Sequence, residues 1–142
     1  MLPFGAVAKK FSDAQRLEVW RNNPAKWAED HGLFMWSKQI EVSQSVVQHQ
    51  KTLVVTSNGC GKSRLSATLV NWWVDTHPVD DTTVVTTATN WKQVRNVLWK
   101  EIPRVKAVAG IRGKVNADAT WKMDDRQDPV AFGMKPDDKD ES

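Results

Sequence analysis

The chain has 142 residues, of which 40% are hydrophobic, and a formal net charge of +3 at pH 7, which fits about one domain with a buried core. It has no apolar stretch long enough to span a membrane, and Lys9 and Lys10 follow the first apolar residues instead of preceding them, so we expect neither a membrane segment nor a signal peptide. The single cysteine, Cys60, excludes an intrachain disulfide and fits a reducing cytosol.

Residues 1–50 are predicted to form a helical lead of three helices, over about 12–22, 24–31 and 38–49. Apolar residues recur at helical spacing in these segments. The capping signals are Ser12, Asn23 and Ser37 at the N-caps, Pro24 at a first helical position and Gly32 at a C-cap. Most of the eight tryptophans lie on such helical patterns and are interpreted as core residues.

The next part of the chain alternates strand and helix patterns. A β-branched run at Thr52–Thr56 predicts a buried strand, and a helical pattern follows from Gly61 to Asp75. A second β-branched run covers Thr82–Thr87, and Asn90 is positioned to cap a helix that runs to Glu101. Strand, helix, strand and helix in this order predict a βαβ unit and a parallel sheet.

After residue 112 the pattern changes to short alternating runs. Ala119–Met123 and Val130–Phe132 are predicted to form a β-hairpin. Residues 135–142 are predicted to be a disordered acidic tail. Residues 124–142 carry a charge of about −4, which leaves about +7 on the rest of the chain. A polyanion partner and a generic basic surface both fit that charge.

The segment Thr56–Ser63, which reads TSNGCGKS, has the order of a phosphate-binding P-loop between a strand and a helix. Gly59 and Gly61 tolerate positive φ and let backbone N–H groups approach a phosphate. Lys62 would reach the β- and γ-phosphates, and the Ser63 hydroxyl would bind Mg²⁺. The strict motif has a glycine where this chain has threonine. The alternative is an ordinary glycine-rich turn with a solvated lysine.

Several segments together resemble the N-terminal ATPase region of large terminase subunits, the DNA-packaging motors of tailed bacteriophages. The resemblance covers roughly residues 23–134. It is carried by Asn23-Pro24, Trp36-Ser37-Lys38-Gln39, Thr56–Ser63, Trp72-Trp73 with His77-Pro78, and the run Val84–Ile102. It implies an α/β fold with the parallel sheet of a P-loop NTPase (RecA/ASCE-like), incomplete here, with a helical lead at 1–50, a partial ATPase core at 51–134 and a C-terminal hairpin.

The resemblance also implies a set of site residues. Lys62 and Ser63 would be the catalytic pair, with Ser63 as the metal ligand. Gln39 would contact adenine, which agrees with the donor and acceptor that a carboxamide offers to the adenine edge; a helix-surface glutamine is the alternative. The ATP-binding residues would be Gln39, Thr56, Ser57, Asn58, Gly59, Cys60, Gly61, Lys62, Ser63 and Arg64. Asn58 occupies the position where some terminases carry an arginine finger. Arg64 is a weak candidate to replace it, and a surface helix arginine is the alternative.

The function that the resemblance implies is ATP hydrolysis coupled to packaging of double-stranded DNA into procapsids, with ATP and Mg²⁺ as ligands. The expected partners are viral DNA, the portal protein and the small terminase subunit, and the expected location is the portal in the host cytoplasm, where the full-length protein would form a ring. Two alternatives stay open. One is another P-loop ATPase such as a RecA-like helicase, and the other is a nucleotide-binding module without turnover.

The last alternative depends on an acidic strand end that the sequence lacks. A P-loop ATPase holds Mg²⁺ with an Asp after four apolar residues. Val70–Asp75 has a helical pattern, Asp80 and Asp81 precede their strand, and Thr120–Asp125 is too hydrophilic. The sequence therefore predicts a region that stops before this strand, does not hydrolyse ATP alone, and leaves the Thr52–Thr56 strand with an uncovered edge.

Overall fold

The computed structural model describes residues 4–56, 61–78 and 80–135, and of residues 4–11 it describes the backbone alone. The helices are α1 (Phe4–Asn22), α2 (Pro24–Asp30), α3 (Ser37–Gln48), α4 (Lys62–Thr76), α5 (Trp91–Gln93) and α6 (Trp99–Ala109), with a π-helical segment, Val94–Leu98, between the last two. The strands are β1 (Val84–Thr86), β2 (Lys114–Asn116), β3 (Thr120–Lys122) and β4 (Ala131–Gly133). In this part of the chain no helix combines the length and the apolar character that crossing a bilayer requires.

The helical lead has three helices, as predicted, and its capping residues set two of the boundaries. The Asn23 side chain accepts a hydrogen bond from the backbone N–H of Lys26 at 3.1 Å, and Gly32, with φ of +76°, follows the end of α2. Two starts differ from the prediction. Helix α1 begins at Phe4 because the alanine- and lysine-containing residues before Ser12 continue the helix, and α3 begins at Ser37 itself.

Helix α4 is the centre of the core, and tryptophan N–H groups tie the helical lead to it. The indole of Trp72 donates to the backbone carbonyl of Trp20 at 2.7 Å, and the indole of Trp27 donates to the Asp75 carboxylate at 2.8 Å. Trp27 is fully buried and Trp72 is 2% exposed. The interpretation of these tryptophans as core residues is therefore correct, and their polar N–H groups are satisfied.

A buried amide connects α4 to α6. Asn71 is fully buried, and its Nδ2 donates to the carbonyls of Ala67 at 2.8 Å and Ile102 at 3.2 Å. Ile102 and Val105 of α6 are also fully buried. Leaving a buried amide N–H without an acceptor costs free energy, so this contact fixes how α6 lies on α4.

The sheet is mixed, and this overturns the predicted fold class. The strand order is β1-β4-β3-β2, in which only the β1–β4 pair is parallel, while β2–β3 and β3–β4 are antiparallel. Each strand has three residues. The parallel sheet of a RecA-like P-loop NTPase is therefore a wrong prediction for this chain. β-Branched runs identify strand-forming segments, but they do not show that an antiparallel hairpin after α6 supplies β4, the parallel neighbour of β1.

The predicted first strand, Thr52–Thr56, lies outside the sheet. The side chains of Leu53 and Val55 are 89% and 85% exposed, and no strand is assigned to this stretch. The hydroxyls of Thr52 and of Ser45 in α3 lie 3.1 Å apart and share a hydrogen bond. The prediction of a buried strand is wrong, because no described strand pairs with this stretch and the side chains of Leu53 and Val55 are left uncovered.

The predicted hairpin is confirmed, with one strand added. β3 and β4 pair in the register Thr120↔Phe132 and Trp121↔Ala131, and β2 pairs with the other edge of β3. The strand β2 was not predicted from the sequence. Its Lys114 lies directly opposite Lys122 of β3, and two lysines facing each other are an unfavourable strand pair.

The helix that Asn90 caps is longer than predicted. The Asn90 side chain accepts from the backbone N–H of Gln93 at 2.9 Å, as the capping pattern indicated. The helical path then passes through the π-helical segment and ends at Gly110, which has φ of +71°. Pro103 lies inside α6 and cannot donate to the carbonyl of Trp99. Trp99, with ψ of 3°, turns that carbonyl off the regular helical direction.

Candidate functional site

The start of α4 has one feature that the TSNGCGKS motif predicts, a glycine with positive φ directly before the helix. Gly61 has φ of +75° and ψ of +27°, the left-handed region, and Lys62 is the first helical residue. A Cβ on Gly61 would come within 3.0 Å of the Gln39 amide nitrogen. Positive φ and this close approach both favour glycine. Ser57, Asn58, Gly59 and Cys60 lie outside the described residues.

Lys62 and Ser63 begin the helix side by side. The Lys62 ammonium donates to the carbonyl of Thr56 at 3.3 Å and is exposed. Ser63 is half-buried. An exposed ammonium at a helix start, beside unpaired backbone N–H groups, is suited to an anionic ligand. The carbonyl of Thr56 is a weak competitor, because a phosphate contact would be charge-assisted on both sides.

Gln39 spans the space between α3 and the start of α4. Its side-chain oxygen accepts from the backbone N–H of Trp36 at 3.2 Å, and its Nε2 donates to the carbonyl of Gly61 at 3.4 Å. The first contact is half of a capping box at the start of α3. A carboxamide has a second lone pair and a second N–H. Gln39 therefore keeps one acceptor site and one donor for an adenine edge while it holds Gly61.

Lys62 lines three clefts, of which the smallest, about 290 Å³, also contains Ser63 and Ala88. The two larger clefts differ in character. The apolar cleft, of about 460 Å³, lies between α3 and residues 52–56. Its lining includes Trp36, Gln39, Val42, Leu53 and Leu65. A base with polar edges fits an apolar cleft of this kind that also carries a carboxamide.

The basic cleft, of about 620 Å³, lies between the start of α4 and the helical path that leads into α6. It is lined by Gly61, Lys62, Ser63, Arg64, Asn96, Val97, Lys100, Glu101 and Arg104. Four cations and one carboxylate line it, which gives a net formal charge of three positive. This volume is in the range of small-ligand pockets.

Arg64 is paired with a carboxylate of α6. Its Nη1 lies 3.4 Å from the nearer oxygen of Glu101, whose other oxygen accepts from Arg104 at 2.8 Å. Glu101 is thus shared by two arginines from different helices. Lys100, Glu101 and Arg104 were not among the site residues predicted from the sequence. Their helical spacing was visible in the sequence, but the packing of α6 beside Lys62 was not.

The acids after β3 lie at the other end of α4. Met123, the residue before Asp124, lines a cleft with Val74 and Asp75 near the end of α4. Helix α4 has fifteen residues and begins at Lys62, so its other end lies about 20 Å away from Lys62. Asp124 and its neighbour therefore do not face the site. Among the described residues no group of three or more His, Cys, Asp or Glu side chains is arranged to hold a metal ion.

A substitution of Gln39 tests whether it contacts the base. If Gln39 contacts the adenine edge, Gln39→Ala should weaken the binding of ATP more than the binding of GTP. The difference between the two losses of binding free energy should be about 1–3 kcal/mol. If Gln39 only holds Gly61, both nucleotides should weaken by the same factor. Competition titrations of a fluorescent nucleotide by ATP and by GTP measure the two affinities.

The matched control is Gln44→Ala, because Gln44 is an exposed glutamine of the same helix that lines neither of the two clefts. Equal affinities for the Gln39 variant and the parent, with both nucleotides, would contradict any role for Gln39.

No protein-family model, curated protein or solved structure matches this chain.

Proposed function

We propose that this chain binds ATP at the start of α4, as part of a motor that packages double-stranded DNA. One observation carries the nucleotide proposal: Lys62 follows a positive-φ glycine at the junction of an apolar cleft and a basic cleft. A nucleoside triphosphate has the same two halves, an apolar base and a chain of anionic phosphates. The base would lie in the apolar cleft and the phosphates beside Lys62.

The residues present fit a triphosphate, and they offer one hydroxyl for Mg²⁺. Lys62 would bind the phosphates as a point charge, and Ser63 would hold Mg²⁺ together with phosphate oxygens. Magnesium would neutralise charge on the phosphates. Among the described residues of the basic cleft, Glu101 is the acidic one, and its two oxygens are engaged by arginines.

That engagement supports a second candidate, a nucleotide-binding module without turnover. Both oxygens of the Glu101 carboxylate already face guanidinium groups, so the carboxylate is not positioned to orient an attacking water. The DNA-packaging part of the proposal rests on the sequence resemblance, with the portal protein and the small terminase subunit as the corresponding partners.

A titration of the chain with a fluorescent ATP analogue in Mg²⁺, followed by displacement with unlabelled ATP, tests the proposal. We expect saturable binding that ATP reverses. Phosphate release, measured with and without double-stranded DNA, separates the two candidates. Release above the buffer rate supports the motor, and binding without release supports the module. A chain that binds no nucleotide contradicts both.

A further inference from the structure

The basic cleft has cations on both of its walls. Lys62 and Arg64 come from the start of α4, and Lys100 and Arg104 come from α6. The two α6 residues are four positions apart, so they lie on one face of that helix. Arg104 and Lys100 are exposed, and neither is needed to fill the core.

Glu101 neutralises part of this charge and aligns two of the cations. Its side chain is 21% exposed, whereas those of Arg64 and Arg104 are 44% and 67% exposed. The carboxylate is therefore the inner member of the cluster. It holds two guanidinium groups at the cleft and leaves most of their remaining N–H donors available, because a guanidinium has five.

We infer that Lys100 and Arg104 bind the terminal phosphate of the nucleotide, opposite Lys62, and that Glu101 positions Arg104 for this contact. The inference rests on the proposed function and names a second phosphate-binding wall for the same site. The concave shape and the volume of about 620 Å³ favour a short phosphate chain over the surface of a nucleic-acid duplex.

The inference predicts which ligands depend on α6. The double variant Lys100→Gln, Arg104→Gln should lower the affinity for ATP and for inorganic tripolyphosphate by about tenfold or more, since two charge-assisted contacts are lost. AMP should change less than twofold, because its phosphate would not reach α6. Calorimetric titrations with tripolyphosphate, ATP and AMP measure the three affinities.

Glu101→Gln is expected to have the opposite effect on binding. It removes the one carboxylate of the cleft but keeps an oxygen that can accept from Arg104, so tripolyphosphate binding should strengthen by a few fold. Unchanged binding would overturn the inference. A damaged fold would weaken every ligand instead. The matched control is Arg95→Gln, because Arg95 is an exposed arginine on the same helical path that does not line the cleft.

The outcomes separate the inference from the proposed function. If Lys62→Ala loses ATP while the Lys100 and Arg104 variants bind as the parent does, the inference is overturned and the proposed function stands. Tripolyphosphate binding that depends on α6, without ATP binding, supports a phosphate-binding wall on α6 but overturns its assignment to a nucleotide, together with the proposed function. An equal loss with Arg95→Gln, or a parent chain that binds neither ligand, overturns the inference.

Discussion

Lys62→Ala should lower the affinity for ATP by about ten- to a hundredfold, because the charge-assisted contacts of one ammonium with phosphate oxygens are worth roughly 1.5–3 kcal/mol. The fold should be unaffected, since the side chain is exposed and its hydrogen bond goes to a loop carbonyl. Displacement titrations with a fluorescent ATP analogue give the ratio of the two affinities. AMP should be affected less, because the proposed contact is to the β- and γ-phosphates, which AMP lacks.

Two further variants sharpen this result. Lys92→Ala removes an exposed lysine of α5 that lies outside both clefts, and it should bind ATP as the parent does. Lys62→Arg keeps the charge but replaces a compact ammonium with a planar fork, so we expect partial recovery at most. Equal ATP affinity for the parent and Lys62→Ala would remove the nucleotide site at the start of α4.

Trp27→Ala should lower the free energy of unfolding by about 3–5 kcal/mol, the range for emptying a buried aromatic site. Trp27 is fully buried, its indole stacks on the His31 ring with centroids 4.6 Å apart, and its N–H donates to Asp75. The substitution leaves a cavity between α2 and α4 and a carboxylate without its donor. A domain of this size is stable by roughly 5–15 kcal/mol, so the loss is a large share.

Urea unfolding followed by far-ultraviolet circular dichroism measures this change, because a tryptophan substitution alters fluorescence directly. Trp27→Phe keeps most of the ring and removes the N–H, so it should cost clearly less than the alanine variant. Trp20→Phe removes a comparable indole bond, to the Asp30 carboxylate at 2.8 Å, at an exposed place. It should change stability by less than about 1 kcal/mol. Equal effects at both tryptophans would contradict the burial argument.

Local signals predicted the features of this fold that depend on a few neighbouring residues. Three such features could be predicted from the sequence, because each is decided within one turn of chain. They are the Asn23 cap with Pro24, the Asn90 cap and the positive φ of Gly61. The hairpin between β3 and β4 was readable for the same reason, since its two strands are close in sequence.

Contacts between distant segments were the ones that the sequence did not reveal. Thr52–Thr56 has the composition of a strand, yet strand formation needs a partner and no described strand pairs with it. The cations of α6 were missed because their meeting with Lys62 depends on how α6 packs on α4, which Asn71 and Ile102 fix across 31 positions of chain. Composition and periodicity carry no information about such a crossing.

The π-helical segment, Val94–Leu98, sets the angular position of the α6 side chains about the helix axis, relative to the Asn90 cap. One residue advances a regular helix by about 100°, and a π turn absorbs one residue more than an α turn. Without this wide turn, the same residues in a regular α-helix would turn the downstream side chains by about that angle relative to the Asn90 cap. If the buried contact of Ile102 with Asn71 held α6 in place, the mismatch would fall on the capped end instead. The wide turn therefore lets one helix satisfy both a fixed cap and a fixed packing contact, as a phase adjuster between them.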